Sequence, residues 1–340
     1  MSKKFSIDRG RPSPSPIRGL ATAAVTLLGA MMLGASPYAH ADDFPSKPIR
    51  FIVPYVPGGP TDLIARTIAE PLAARLKQPV IVENKPGASG AIGTNFVAKA
   101  ARDGYTLLLS NIGDTVTFAL GVKVPYDYVH DLQPVSLLGK TPFVLVVDSK
   151  LPAMTVKELI QYARKNSNSI NFGSSGTGSA SQLAGELFTS SAGFHATHIP
   201  YKGQSDATVG LMGGQLTFMF ANPVNTLPQI KSGSLRALAV SGKKRYPALP
   251  DVPTVEAGGL PGYEVNAWFG LMTTGGAPQD VVAKLNAEVL NILARPDVQE
   301  KLGRLGVEAQ GNSPQEFASF IKNEIVRWTE VVQNANIRVQ

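Results

Sequence analysis

IRFIVPYVPGGPTDLIARTIAEPLAARLKQPVIVEN (49–84) holds two apolar runs, a glycine-rich corner and a helical repeat. IRFIVPY (49–55) reads as a buried strand, LIARTIAEPLAARL (63–76) as a helix with Pro71 a kink, and PVIVEN (79–84) as the next strand. A helix for SGAIGTNFVAKAA (89–101) and a strand for YTLLLS (105–110) follow. Continuous apolar strands alternating with helices predict a parallel sheet covered on both faces.

The pattern repeats further along. QPVSLLG (133–139) and FVLVVD (143–148) are strand candidates, and Thr155 with Glu158 makes a capping-box pattern opening the helix VKELIQYARK. SINFGS (169–174), THIPY (197–201), QLTFMF (215–220) and LRALAV (235–240) read as a second set of strands. SQLAGELFTSSAG (181–193) is a helix with a glycine stop. A Pro/Gly-rich connection (245–263) leads to two terminal helices, the last capped at Ser313. The expected organisation is 42–147 plus 243–340 as one lobe and 148–242 as the other, in line with the limit of roughly 250 to 300 residues on a single core.

Residues 1–41 read as an export segment. Five basic groups, the uncharged run Leu20–Ala35 and Ala39-His40-Ala41 follow the order of a secretory signal peptide. The apolar run of 16 residues is short of the roughly 20 that span a bilayer. Five basic groups and Asp8 put +4 of the +7 net charge in this segment, leaving about +3 on the remaining 299 residues. No basic run with interleaved aromatics suggests nucleic-acid binding. The absence of cysteine excludes a disulfide framework and a cysteine-borne lipid anchor, so a freely soluble periplasmic product is expected.

Ligands of open α/β sheets bind beyond the carboxyl ends of the strands. That rule places PYVPGGPTD (54–62), NKPGASG (84–90) and SNIGDT (110–115) in a cleft, facing GSSGTGSAS (173–181), YKGQSD (201–206) and FANPVN (220–225). Catalytic groups are scarce in these loops. GSSGTGSAS lacks G-x-S-x-G, and His195 and His198 read as surface or packing residues. No HExxH, thiol or acidic cluster suggests a metal, and Gly87, Gly90 and Gly93 have the wrong spacing for a dinucleotide fingerprint. No cofactor is expected. Backbone donors are plentiful instead: Gly58-Gly59 and Gly176-Thr177-Gly178-Ser179 each precede a helix, the arrangement that binds an anion. Asp62 either orders its loop or meets an ammonium or hydroxyl group of the ligand; the sequence leaves both open.

The chain resembles the Bug or TctC-type periplasmic receptors of tripartite tricarboxylate transporters over essentially its whole exported part. The resemblance rests on FPSKPIRFIVPYVPGGPTD, VIVENKPGASGAIGT, GYTLLL, FGSSGTGSASQLAGELF, IPYKGQSDA, LMGGQLTFMF, IKSGSLRALAV, RYPALPDVPTVEAG and WFGLMTTGGAPQDVVAKLN. It implies a two-lobe, type II-like periplasmic-binding-protein fold, each lobe a mainly parallel sheet covered by helices, with the ligand in the interlobe cleft. It also implies a monomeric receptor, without enzymatic activity, that closes on a small carboxylate and hands it to membrane permease subunits. The loops matching Val56–Asp62 and Gly176–Ser179 would hold the carboxylate. The candidate ligand-binding residues are Tyr55, Val56, Pro57, Gly58, Gly59 and Asp62, then Ser110 and Asn111. From the second lobe come Gly176, Thr177, Gly178, Ser179, Gln182, Tyr201, Phe220, Ala221 and Asn222.

The chain departs from the family where specificity should lie. Gln182 stands where histidine is frequent and Ala221 where aspartate is frequent. SNIGDTVTF replaces a threonine- or histidine-bearing stretch. With Phe220 and Phe118 retained, these changes point to an aromatic or weakly polar mono- or dicarboxylate. A secreted serine hydrolase using 174–181 and a ligand-sensing subunit are the competing readings.

Overall fold

The computed structural model describes residues 44–334, Asn168 excepted, together with Phe5, Ser6 and Gly10. The expected signal peptide, residues 1–41, lies outside the described residues apart from those three.

β1 (Ile49–Val53) is buried on both faces. Ile49, Phe51 and Val53 pack with Ile64, Ile68 and Leu72 of α1 (Pro60–Leu76), while Ile52 shares a cluster with Val97 of α2 (Ala91–Ala98). Successive side chains of a strand point to opposite faces, so covering both faces requires the uninterrupted apolar run. α1 starts with proline in its first turn, where no amide hydrogen is needed, and continues through Pro71. β2 (Val80–Asn84) and β3 (Thr106–Asn111) flank β1 in parallel.

The first sheet has the order β11-β4-β10-β3-β1-β2. β4 (Leu132–Pro142), β10 (Asn266–Thr274) and β11 (Glu308–Ala309) supply its antiparallel part. The second sheet runs β7-β6-β8-β5-β9: β5 (Val144–Asp148), β6 (Asn171–Ser174), β7 (Thr197–Pro200), β8 (Phe218–Ala221) and β9 (Leu235–Val240). β7-β6-β8 is parallel and β8-β5-β9 antiparallel. Both sheets are therefore mixed. The parallel part of each carries the expected strand–helix alternation, and β4, β5, β9 and β10, which make antiparallel pairs, flank the passages between lobes.

Between β3 and β4 lies α3 (Ile112–Ala119), in a stretch that reads as loop in the sequence. In the second lobe α4 (Val156–Lys165) is capped by Thr155, whose hydroxyl accepts from the Glu158 amide (3.1 Å). α5 (Ala180–Ala192), α6 (Gln204–Met212) and α7 (Pro223–Lys231) complete that lobe's helices. α8 (Gln279–Leu293), α9 (Pro296–Arg304) and α10 (Pro314–Asn334) return to the first sheet. α10 lies along β4 and α3 and also reaches α5.

The chain leaves the first sheet at Phe143, so β5 belongs wholly to the second, and it returns through residues 241–265. One buried side chain joins the two passages. Ser241 Oγ accepts from the Phe143 amide (2.7 Å) and donates to the Val265 carbonyl (2.5 Å). Trp268 is fully buried against Phe317 and Phe320 of α10.

Candidate functional site

A cavity of about 340 Å³ lies between the carboxyl ends of the two sheets. The first lobe contributes Tyr55 and Ser89, the start of α3 (Asn111, Ile112, Gly113, with Thr117 one turn on), and Ala267 and Phe269 of β10. The second lobe contributes Ser175 and the run Thr177–Ala180.

In the first wall, Asn111 caps α3. Its Oδ1 accepts from the Gly113 amide (2.7 Å) and from the Tyr55 hydroxyl (3.2 Å). Asp114 closes the capping box by accepting from the Asn111 amide (3.1 Å). A Cβ at Gly113 would lie 2.9 Å from Asn111 Oδ1 and 3.0 Å from the Tyr55 hydroxyl, so a larger residue there would have to push this pair aside.

The second wall is the loop from β6 to α5. Ser179 caps α5 by accepting from the Gln182 amide (3.3 Å), and Gln182 Oε1 accepts from the Gly178 amide (2.8 Å). Ser181 Oγ accepts from the Ser175 amide (3.1 Å). Gly178 has φ +77°, and a Cβ there would sit 3.2 Å from Leu120 Cδ1 of the first lobe. Behind the loop, fully buried Ser174 lies 2.6 Å from His198 Nε2 and accepts from the Gly176 amide (3.1 Å). Burial pushes the His198 imidazole down to about 4, so it is neutral at ordinary pH and pairs with Ser174 as an uncharged ring. His198 is thus a packing partner of the loop, its ring tilted against Phe172, one of the two roles the sequence suggests.

PYVPGGPTD is built differently. Asp62 is 2% exposed, and its carboxylate accepts from the Gly58 amide, Arg66 Nε and Asn84 Nδ2, each at 3.0 Å. Burial alone would raise this carboxyl. The hydrogen bonds from Arg66, Gly58 and Asn84 outweigh it and hold Asp62 below the usual carboxylate range. The Gly58 amide is therefore taken by the chain's own carboxylate. Of Asp62's two open roles, ordering the loop is the one its hydrogen bonds serve.

Of the sequence candidates, the cavity brings together Tyr55, Asn111, Thr177, Gly178 and Ser179. Gly176 and Gln182 stand directly behind the second wall, and Ser110 lies beneath the first, buried against Asp114 and Tyr128. Val56, Pro57, Gly58, Gly59 and Asp62 are outside the lining, with Val56 63% exposed. Tyr201 donates to Gln215 Oε1 (3.1 Å), and Asn222 caps α7 by accepting from the Val224 amide (3.1 Å). Phe220 and Ala221 are fully buried in separate core clusters, since β8 is a central strand with both faces covered. The charge expected to be missing at Ala221 therefore has no bearing on the cavity wall.

Sequence reasoning did not single out Ser89, Ile112, Gly113, Thr117, Ser175, Ala180, Ala267 or Phe269. Asn111-x-x-Asp114 was a legible capping signature for α3. Ala267 and Phe269 carry no local mark of a site.

Among the described residues no charged side chain lines the cavity. Its polar groups are hydroxyls, the Asn111 amide and the backbone at the starts of α3 and α5. Helix N-termini carry partial positive charge and unpaired amides, so two of them facing one uncharged cavity suit an anion. Among the described residues no group of three or more His, Asp or Glu side chains is arranged to hold a metal. No helix among them is long and apolar enough to cross a membrane.

Residues 64–337 match the model of the tripartite tricarboxylate transporter family receptor. The chain is 36% identical to the solved periplasmic binding protein BugD, with TM-score 0.74, covering 87% of this chain and 100% of that one. A Rhodopseudomonas palustris protein, Rpa4515 with adipate, is 35% identical with TM-score 0.77, covering 87% and 99%. MatC of the same organism, with bound malate, is 34% identical with TM-score 0.72, covering 85% and 100%. Sequence and architecture agree with the match, and the chain belongs to the tripartite tricarboxylate transporter family of receptors.

Proposed function

We propose that this protein is a periplasmic receptor that captures a small, weakly polar mono- or dicarboxylate by closure of its lobes and delivers it to membrane permease subunits. The observation that carries this reading is the uncharged cavity between the N-termini of α3 and α5. A carboxylate there meets helix-end amides and hydroxyls without a competing fixed charge. Ile112, Ala267 and Phe269 supply an apolar stretch of wall for the carbon skeleton, aromatic or aliphatic. An amino acid fits less well, since no carboxylate lines the cavity to receive its ammonium group. Adipate and malate in two similar proteins support a dicarboxylate. Ser174, the serine paired with a histidine, has no exposed surface, which favours binding over hydrolysis. The protein acts as a monomer in this reading.

The test is a panel of aliphatic and aromatic carboxylates in thermal-shift and calorimetric assays. An acid present at 100 times its Kd adds about 2.7 kcal/mol of stability. A panel without any shift or heat sinks the proposal.

A further inference from the structure

Asp114 belongs to the first wall of the site yet faces away from the cavity, and it is 5% exposed. Its carboxylate accepts from Ser110 Oγ (2.6 Å), the Asn111 amide (3.1 Å) and Thr94 Oγ1 (3.3 Å). None of the ion pairs among the described residues includes it. Its titratable neighbours are three phenols: Tyr55 after β1, and Tyr126 and Tyr128 before β4. Burial, and after it the Asp114 charge, raises all three. From β10 comes only Met272 Sδ, 3.4 Å from the Tyr128 hydroxyl. α10 packs along α3 and carries buried apolar Ile321 and Trp328, while its Glu324 and Arg327 pair with each other at 3.6 Å. A single anion is thus enclosed without a cation, within three residues of cavity-lining Asn111, Ile112 and Gly113.

We propose that the site takes up a proton when it binds its anionic ligand, and that Asp114 is the residue that accepts it. This rests on the carboxylate-receptor reading above. The bond formed is O–H on the Asp114 carboxyl, the proton coming from solvent. An anion entering the cavity disfavours a second anion behind its wall, so the two negative charges exchange for one. The network tolerates either state. Apart from the Asn111 amide, every partner is a hydroxyl, and a hydroxyl changes from donor to acceptor by rotating. The protonated carboxyl oxygen donates a hydrogen bond to Thr94 Oγ1 while the other oxygen keeps accepting from the Asn111 amide, so the cap of α3 survives. Burial pushes the Asp114 carboxyl up to about 6 against the opposing bonds from Ser110, Asn111 and Thr94. The neighbouring anion raises it further, toward the pH range in which exported proteins work. By linkage, ligand affinity rises as pH falls through this window and levels off below it.

The experiment is isothermal titration calorimetry with adipate and with malate, pH 6.5 to 8, in buffers of different ionisation enthalpy. Wild type should take up a fraction of one proton per ligand and bind roughly threefold tighter at pH 6.5 than at pH 8, the part of a tenfold change that a shift of about one pKa unit places in this range. Asp114→Asn should bind with no buffer dependence and a flat pH profile. Infrared difference spectra of wild type alone, with ligand added, should show a new protonated-carboxyl band, so the test survives a variant that fails to fold. Heat without proton uptake and without that band overturns the coupling and leaves the receptor reading intact. Uptake retained in Asp114→Asn overturns the assignment to this residue. Absence of heat with either acid, across the wider panel as well, takes down the receptor reading and the inference with it.

Discussion

Two loops that look alike in the sequence, PYVPGGPTD (54–62) and GSSGTGSAS (173–181), are opposites in the structure. Each joins a strand to a helix through glycines with positive φ. The first is filled from within, since the buried Asp62 carboxylate takes the Gly58 amide. The second is braced by neutral groups, Gln182 on Gly178 and the Ser174–His198 pair on Gly176. That bracing leaves Thr177, Gly178 and Ser179 on the cavity. A glycine-rich turn before a helix is therefore closed by the chain's own carboxylate in the first loop and braced by neutral groups in the second. Whether it serves a ligand depends on whether the chain has already supplied the anion.

The largest expected effect breaks the first loop. Asp62→Ala leaves the Gly58 amide, Asn84 and the half-exposed Arg66 without their acceptor and should cost about 3 kcal/mol in urea unfolding. The folded-state carboxyl of Asp62 is depressed, so its contribution is complete above the unfolded value and lost as pH falls through the folded one. Wild type should accordingly lose its advantage over Asp62→Ala in acid. Equal stability of the two at pH 7 would remove the basis for a self-filled loop.

A matched pair of glycines sharpens the contrast. Gly58 (φ +80°) has open space where a Cβ would go, whereas Gly178 (φ +77°) would press one against Leu120. Both Gly→Ala changes should cost about 1–2 kcal/mol of backbone strain. Only Gly178→Ala should also weaken carboxylate binding, by about tenfold, since it displaces the cavity wall and loses about 1.4 kcal/mol. Calorimetry on both variants decides it. If Gly58→Ala weakens binding as much, the two loops share the ligand after all.

The smallest effect concerns acid. The folded-state value of His198 is depressed to about 4, so its neutral pairing stabilises at neutral pH and is lost as pH falls from the unfolded value through the folded one. That should remove about 1 kcal/mol between pH 7 and 5.5. His198→Gln should flatten that part of the stability curve, and an unchanged curve would mean the histidine does not hold the loop. Acid therefore loosens the second loop well before the first.

Much of this molecule was legible because its strands and helices announce themselves by period. The rule that ligands sit at the carboxyl ends of strands selected loops that do reach the cavity. What escaped was of two kinds. α3 was hidden because serine, asparagine, glycine and aspartate at 110–114 read as turn chemistry, although the same residues form its cap. Ala267 and Phe269 were invisible for a different reason: they reach the site through pairing of β10 with β3 and β4, a contact across more than a hundred residues. Phe220 and Ala221 are the converse case, residues near a loop whose strand is covered on both sides.

The position of β10 also bears on how the chain assembles. β10 lies between β3 and β4 in the first sheet, yet all of the second lobe is synthesised before it. The five strands of the second sheet come from the continuous stretch Val144–Val240 and can pair as soon as they emerge. The first sheet stays split, with β1, β2 and β3 apart from β4, until Asn266–Thr274 arrives to join them. Non-local pairing of this kind is slow and leaves strand edges open in the meantime. The first sheet is thus the part whose pairing cannot be completed until the C-terminal portion of the chain is available.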